Sequence, residues 1–306
     1  MRLQAFTSAD HPVRRLRALR ERLIAAVLGL AALSSVLVTA GILFILVFES
    51  LPFFETVSFK EFITGTEWTP LFENPKYGIL PLLSGTFMST LIALCVAIPL
   101  GTIVAAYLSE YIHPRWREIL KPVLELLAGV PTVVYGYFAL LFVTPLLQKL
   151  FPEMSGFNIL SAGIVIGVMI IPYVSSLSED AMRAVPVHLR EASFALGTSK
   201  FQTTFRVVIP AAFSGMTSAY VLAISRALGE TMVVAIAAGM QPNLTWNPTE
   251  PAATITAFIV QVSLGDLPHG SIGYRSIYVA GLSLLVLTLG FNVVGLWIRK
   301  RIQERE

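Results

Sequence analysis

PVHLREASFALGTSKFQTTFRVVIP, residues 186–210, joins two long apolar runs and is patterned too regularly to be a slack connection. Pro186 suits the first turn of a short helix reaching about Leu196, because the N–H that proline lacks has no helical partner there anyway. Gly197 is the expected stop, and Thr198 or Ser199 the cap of a second helix running toward Val208. Two short helices between membrane-length segments make a lever that another protein can push. The plainer reading is an amphipathic helix lying in a loop.

The runs on either side set the class. Only 13% of the 306 residues are charged while 55% are hydrophobic. A water-soluble chain of this length needs far more charge to cover its surface, so lipid covers much of this one. A helix crossing the hydrocarbon core needs about 20 apolar residues. Charge-free windows of that length lie at 23–48, 77–109, 126–148, 154–178 and 276–298, and a further run, 207–240, is interrupted only by Arg226 and Glu230. An all-α, polytopic membrane protein with six transmembrane helices is expected. The first run is too long for a signal-peptide core of roughly 7–15 residues, and no small-x-small site closes it before Glu49, so it reads as a retained span.

Charge sidedness orients the spans. With a cytoplasmic N-terminus, the inner segments hold 17 of the 22 Lys and Arg, the outer loops hold 4, and Arg226 is the one left inside the membrane. Positive residues are retained on the cytoplasmic side, and a miscounted helix scrambles such a bias. Both termini are therefore assigned inside. The chain divides into a basic N-terminal segment (1–22), a first span with an outer loop (23–76), a core (77–298) holding the loop 179–210, and a cytoplasmic tail (299–306).

Residues 11–22 interleave arginines with Val13, Leu16 and Leu19 and are read as a short basic helix on the anionic leaflet, a better fit than a nucleic-acid arm because they abut a span. The segment 252–264, at 13 residues, is too short to cross and is expected to pack as an outer-face or re-entrant helix. The loop 49–76, with five Glu, two Lys and Pro52, Pro70 and Pro75, is expected to cap the outer face. The single cysteine, Cys95, excludes an internal disulfide and is expected to be a plain buried thiol.

Arg226 and Glu230 are the informative polar residues. A charge near the bilayer centre costs roughly 2.5–3.5 kcal/mol on insertion scales, so such residues face a pathway or each other. On a continuous helix their spacing of four places them on one face, within reach of a mutual ion pair. Two readings stand: a structural bridge, or an arginine that makes a pathway positive for an anion while Glu230 keeps it from trapping that anion. A guanidinium fork matches two oxygens of a tetrahedral oxyanion. Gly229 removes a side chain beside them, permitting close approach of a helix or substrate. Pro99, Pro131, Pro145 and Pro172 interrupt other spans, and Gly163 with Gly167 forms a Gly-x-x-x-Gly step suited to tight helix packing.

Glu191-Ala192-Ser193, three residues, Gly197, nine residues, then Val207-Val208-Ile209-Pro210 resembles the EAA loop of ABC importer permeases, with Ser193, Val207 and Ile209 departing mildly from its Ala, Ile and Leu. The resemblance implies a type I, MetI-like permease fold in which Glu191, Ala192, Gly197 and Pro210 couple the chain to an ATPase. Arg226-Ala227-Leu228-Gly229-Glu230-Thr231-Met232 is similar to the fifth-span motif of phosphate-specific permeases, PstC-like rather than PstA-like. Tyr77-Gly78, the stretch Val130 to Gly136 and the stretch Met169 to Tyr173 look like the same subfamily. Sulfate and molybdate permeases share Arg-x-Leu-Gly-Glu but usually lack the Thr-Met. The implied substrate pathway holds Arg226, Gly229, Glu230 and Thr231. The implied partners are a homologous second permease subunit, two ATP-binding subunits that hold the ATP-Mg, and an external phosphate-binding protein.

No Gly-x-x-x-x-Gly-Lys-Ser/Thr cradle for ATP occurs. No Gly-x-Ser-x-Gly elbow occurs either, and His11, His113, His188 and His269 are scattered, so no enzyme, resident metal or cofactor is expected in this chain. The competing readings are an ion-coupled secondary transporter titrating Glu230, a permease for sulfate, molybdate or phosphonate, and a membrane-anchored sensor. The last needs a soluble domain that the short ends do not supply.

Overall fold

The computed structural model describes residues 12–265 and 267–303. The first eleven residues of the basic N-terminal segment, His11 included, and residues 304–306 of the tail lie outside the described residues. Within them the regular structure is helical: α1 (Pro12–Thr56), α2 (Phe59–Thr64), α3 (Leu80–Ala106), α4 (Pro114–Ala128), α5 (Thr132–Phe138), α6 (Thr144–Gln148), α7 (Ile159–Arg183), α8 (Val187–Ala195), α9 (Lys200–Thr203), α10 (Ile209–Leu228), α11 (Met232–Ala237), α12 (Ile255–Ser263) and α13 (Ile272–Gln303). Wider π turns at Tyr107–Tyr111, Ala139–Val143 and Thr204–Val208 extend α3, join α5 to α6 and join α9 to α10.

Among the described residues five helices are long and apolar enough to cross a membrane, and α4 with α5–α6, bent by 83° at their junction, reaches that length and hydropathy as a pair. The third window is thus divided between two helices at a sharp corner. Gly129 ends α4, and Pro131 disfavours helical geometry in Val130 before it. The Tyr135 hydroxyl reaches back to the Leu127 carbonyl (2.8 Å) and braces the corner. The basic stretch before residue 23 is likewise the start of α1, a single 45-residue helix, since no glycine or proline interrupts the ladder at the expected boundary. The fourth span begins at Ile159, capped by the Asn158 side chain, five residues later than the charge-free window.

The most apolar window of α7 is 67% buried and that of α1 not at all, which puts α7 at the centre and α1 at the rim. Lipid tails are as apolar as the side chains, so close backbone approach and van der Waals contact hold such helices together. Gly163 and Gly167 provide it: a Cβ at either would lie 2.7 Å from Ile92 or 2.6 Å from Val96 of α3. Also on α3, Cys95 is exposed, correcting the expected buried thiol.

The outer loop folds into an aromatic cap. Phe53, Phe62, Trp68 and Tyr77 pack edge to face, and Trp68 meets Phe258 of α12 with ring centroids 5.0 Å apart. Gly65 and Gly78 touch through their backbones, where any side chain would collide. The short apolar segment is α12, buried against this cap and the core.

At the other end α8 is the expected short helix, with Gly197 at φ +79° turning the chain. Ser199 and Gln202 form a reciprocal capping box at α9. The second helix does not stop near Val208; it continues through the π turn into the fifth span. Pro210 falls in the first turn of α10, just after the wider π ladder, where its missing N–H breaks no regular α-helical bond.

Candidate functional site

The fifth span stops at Leu228 and re-forms as α11 at Met232; Arg226 lies in the last turn before that break and Glu230 lies within it. Their expected one-face relation and mutual ion pair are therefore not formed. Arg226 occupies the last turn of α10, where the negative end of the helix dipole favours a cation, and its guanidinium lies 4.2 Å over the Tyr173 ring of α7. Its buried Nε finds no hydrogen-bond acceptor, and no described carboxylate lies within salt-bridge distance. Glu230 is buried, its carboxylate accepts from the Val233 N–H (3.3 Å) at the start of α11, and its carbonyl accepts from Thr256 (2.6 Å) of α12.

The other faces of α10 fix its rotation. Tyr220 shares a hydrogen bond with Thr102 of α3 (2.8 Å), and Ser225 donates to Asn292 of α13 (2.9 Å). Arg226 is thereby turned toward α7, inside the bundle. Gly229 is exposed and meets only its own helix carbonyl at Ser225, so the absent side chain leaves open surface beside Arg226 rather than room for another helix of this chain. The Thr231 hydroxyl donates to the Gly229 carbonyl (3.1 Å) across the break.

Because Glu230 caps a helix start, Glu230→Gln is expected to leave protein levels unchanged, its amide oxygen still accepting from Val233. Glu230→Ala is expected to cost about 1 kcal/mol, read by thermal denaturation in detergent.

The elbow residues sit apart from the break. Glu191 and Ala192 are exposed on α8, Gly197 is exposed at the turn beyond it, and Pro210 lies where α10 begins. Val187, Phe194, Leu196 and Phe201 add exposed apolar side chains around them. A charged seam near this end escaped sequence reasoning. Glu179 of α7, with no exposed side-chain surface, binds Arg117 and Lys121 of α4 at 2.7 Å each, and Arg183 lies 3.7 Å away. Asp180 joins Lys121, and Glu125 accepts from Ser176 (2.8 Å). In the sequence, Arg117 and Lys121 stand four apart, on one helix face, and Lys121 has Glu125 four residues on as a nearer local partner, so nothing there points to Glu179. On the outer side, Glu250 accepts from the Thr245 hydroxyl (2.6 Å) and the Asn247 amide (3.0 Å), which hold its carboxyl below the usual range.

Comparison with known proteins agrees with this architecture. Residues 97–305 match the family described as binding-protein-dependent transport system inner membrane component. The chain is 37% identical over 246 positions to a probable ABC transporter permease protein, YqgH, of Bacillus subtilis, covering 80% of this chain and 79% of that protein. It is 32% identical over 322 aligned positions to the phosphate transport system permease protein PstC of Mesorhizobium japonicum, covering 98% and 95%. A bacterial alginate ABC transporter solved with an alginate-bound periplasmic protein shares the fold, with a TM-score of 0.63 at 17% identity over 92% of this chain and 96% of that one. An inward-facing MetNI methionine ABC transporter matches with a TM-score of 0.54 at 17% identity over 74% and 94%.

Proposed function

We propose, from the premise that this chain belongs to the family of binding-protein-dependent transport system inner membrane components and is the permease subunit of an ABC importer, that its cargo is inorganic phosphate. The observation that carries the proposal is Arg226: a guanidinium held inside the helix bundle, facing an aromatic ring and no carboxylate, beside the open surface at Gly229. Its fork is free to meet two oxygens of a tetrahedral anion. Resemblance of 226–232 to phosphate permeases, and the PstC relatives, favour phosphate over sulfate, molybdate or phosphonate.

Tyr173 takes over the moderating part first given to Glu230. A cation over an aromatic face gains about 0.5–2 kcal/mol, so the ring offers Arg226 an alternative partner when the anion departs. Transport needs a site that binds and also releases.

The working assembly is this chain with a homologous second permease, two ATP-binding subunits carrying the ATP-Mg, and an external phosphate-binding protein. The apolar residues around Glu191 on α8 suit a groove in the ATPase, and its closure on ATP swings the spans. This chain moves cargo and performs no hydrolysis. The test is uptake of labelled phosphate by proteoliposomes holding the assembled complex, with sulfate, molybdate and phosphonate as competitors. ATP-dependent phosphate uptake resistant to the other three is expected. Uptake of another oxyanion alone overturns the substrate, and uptake that survives without ATP but collapses with the ion gradient overturns the mechanism.

A further inference from the structure

Arg190 precedes Glu191 on α8 and points the other way, into the protein. Its Nε and one terminal nitrogen donate to the two oxygens of Glu110 (3.3 and 3.0 Å), and it also donates to the carbonyls of Met182 (2.8 Å) and Val185 (2.6 Å). Only 17% of its side chain and 9% of that of Glu110 are exposed. Met182 lies in the last turn of α7, its carbonyl also accepting from the Val185 N–H (3.2 Å), and Glu110 lies in the π turn that ends the second span. One guanidinium therefore ties the elbow to two central spans. Ser109 supports the same carboxylate with a hydrogen bond of 2.9 Å.

The other limb of the elbow reaches the same turn. Lys200, at the start of α9, lies 5.2 Å from the centre of the Tyr111 ring. Between the limbs, the hydroxyls of Ser193, Thr198 and Thr203 bond one another at 2.7–2.9 Å and lock α8 to the base of the fifth span. Ser193 replaces the alanine of the EAA pattern, so this knot belongs to the present chain. The elbow is rigid within itself, and its hold on the second span runs through the π turn Tyr107–Tyr111, a helix form often found where helices serve function.

We infer that Arg190 is the positioning residue that delivers movement of α8 to the second and fourth spans, with Glu110 as its receiver. The inference rests on the reading of α8 as the ATPase-coupling helix. A bidentate, charge-assisted contact resists sliding in a way apolar packing does not, so pushing α8 pulls the π turn with it. Without the contact, α8 moves with the ATPase while the second span lags.

The test uses the full complex in proteoliposomes and reads cargo taken up per ATP hydrolysed. Arg190→Ala is expected to lower that ratio by about tenfold or more while ATP hydrolysis continues. Because Glu110 and Arg190 act through one contact, the double variant with Glu110→Ala is expected to be no worse than Arg190→Ala alone. An unchanged ratio in the assembled Arg190→Ala complex, or additive losses in the double variant, overturns the inference. Should Arg190→Ala not assemble, Arg190→Lys serves in its place: a ratio below wild type upholds the assignment and a wild-type ratio overturns it. If the wild-type complex carries a different oxyanion, the phosphate reading fails, while the same ratio measured with that cargo still decides Arg190.

Discussion

Arg226→Gln is expected to cut phosphate uptake by about a hundredfold while leaving the amount of assembled complex close to wild type. Charge-assisted hydrogen bonds contribute roughly 1.5–3 kcal/mol each, and the fork can supply two of them to one anion. Glutamine keeps polarity and approximate length but loses the charge and the paired geometry. Folding is spared for a specific reason: Arg226 has no described carboxylate partner, so its removal strands no buried counter-charge. What disappears from the folded state is the contact with Tyr173, about 0.5–2 kcal/mol. Arg226→Lys is expected to recover only part of the uptake, since an ammonium is a point charge without a planar fork. Labelled uptake alongside recovery of the complex separates the two effects, and normal uptake at normal levels would remove Arg226 from the anion pathway.

Glu179→Ala is expected to have the opposite profile, with its effect on stability first. The carboxylate has no exposed side-chain surface and receives Arg117 and Lys121 at 2.7 Å each. Taking out one member of a buried charge cluster leaves the others uncompensated, which costs about 3–5 kcal/mol. Arg117 and Lys121 are about one-fifth exposed (22% and 18%), so water recovers some of that cost. The remaining tie between α4 and α7 is then Lys121 with the more exposed Asp180, plus Glu125 with Ser176. A lowered melting temperature in detergent, with protease entry near the 83° corner after α4, is the expected result. Glu179→Gln is expected to fall between, because the amide oxygen still accepts from one cation. A wild-type melting temperature for Glu179→Ala would show that the seam carries no net stability.

The two sites differ in how far sequence reasoning reached them. The motif around Arg226 was legible because a charge in an apolar run is visible without any coordinates. The geometry was not, because the i,i+4 argument assumes an unbroken helix and this one ends at Leu228. Gly229 is the sequence signal for that stop, standing between the two charges where a helix end is easily placed. Glu179 stands one residue beyond the charge-free window 154–178 and belongs to no motif. Its partners lie 58 and 62 residues away, and no periodicity connects them. Arg190 adjoins the Glu191 of a matched motif and carries no signal of its own, because its partner Glu110 lies 80 residues away.

The number of apolar runs, the charge bias of the segments between them and the place of the elbow were determined by sequence alone. Each depends on quantities that are additive along the chain: the length of apolar runs against bilayer thickness, the side on which Lys and Arg accumulate, and local helix stops such as Gly197. The tertiary structure decided which polar groups meet. It turned Arg226 onto Tyr173, set Glu230 to capping α11, buried Glu179 between two cations of α4, and joined Arg190 to Glu110 across 80 residues. Those contacts depend on helix rotation and on where helices break. Both are settled by close packing of one surface against another, as Gly163 and Gly167 against α3 illustrate, and neither can be summed from one end of a sequence to the other.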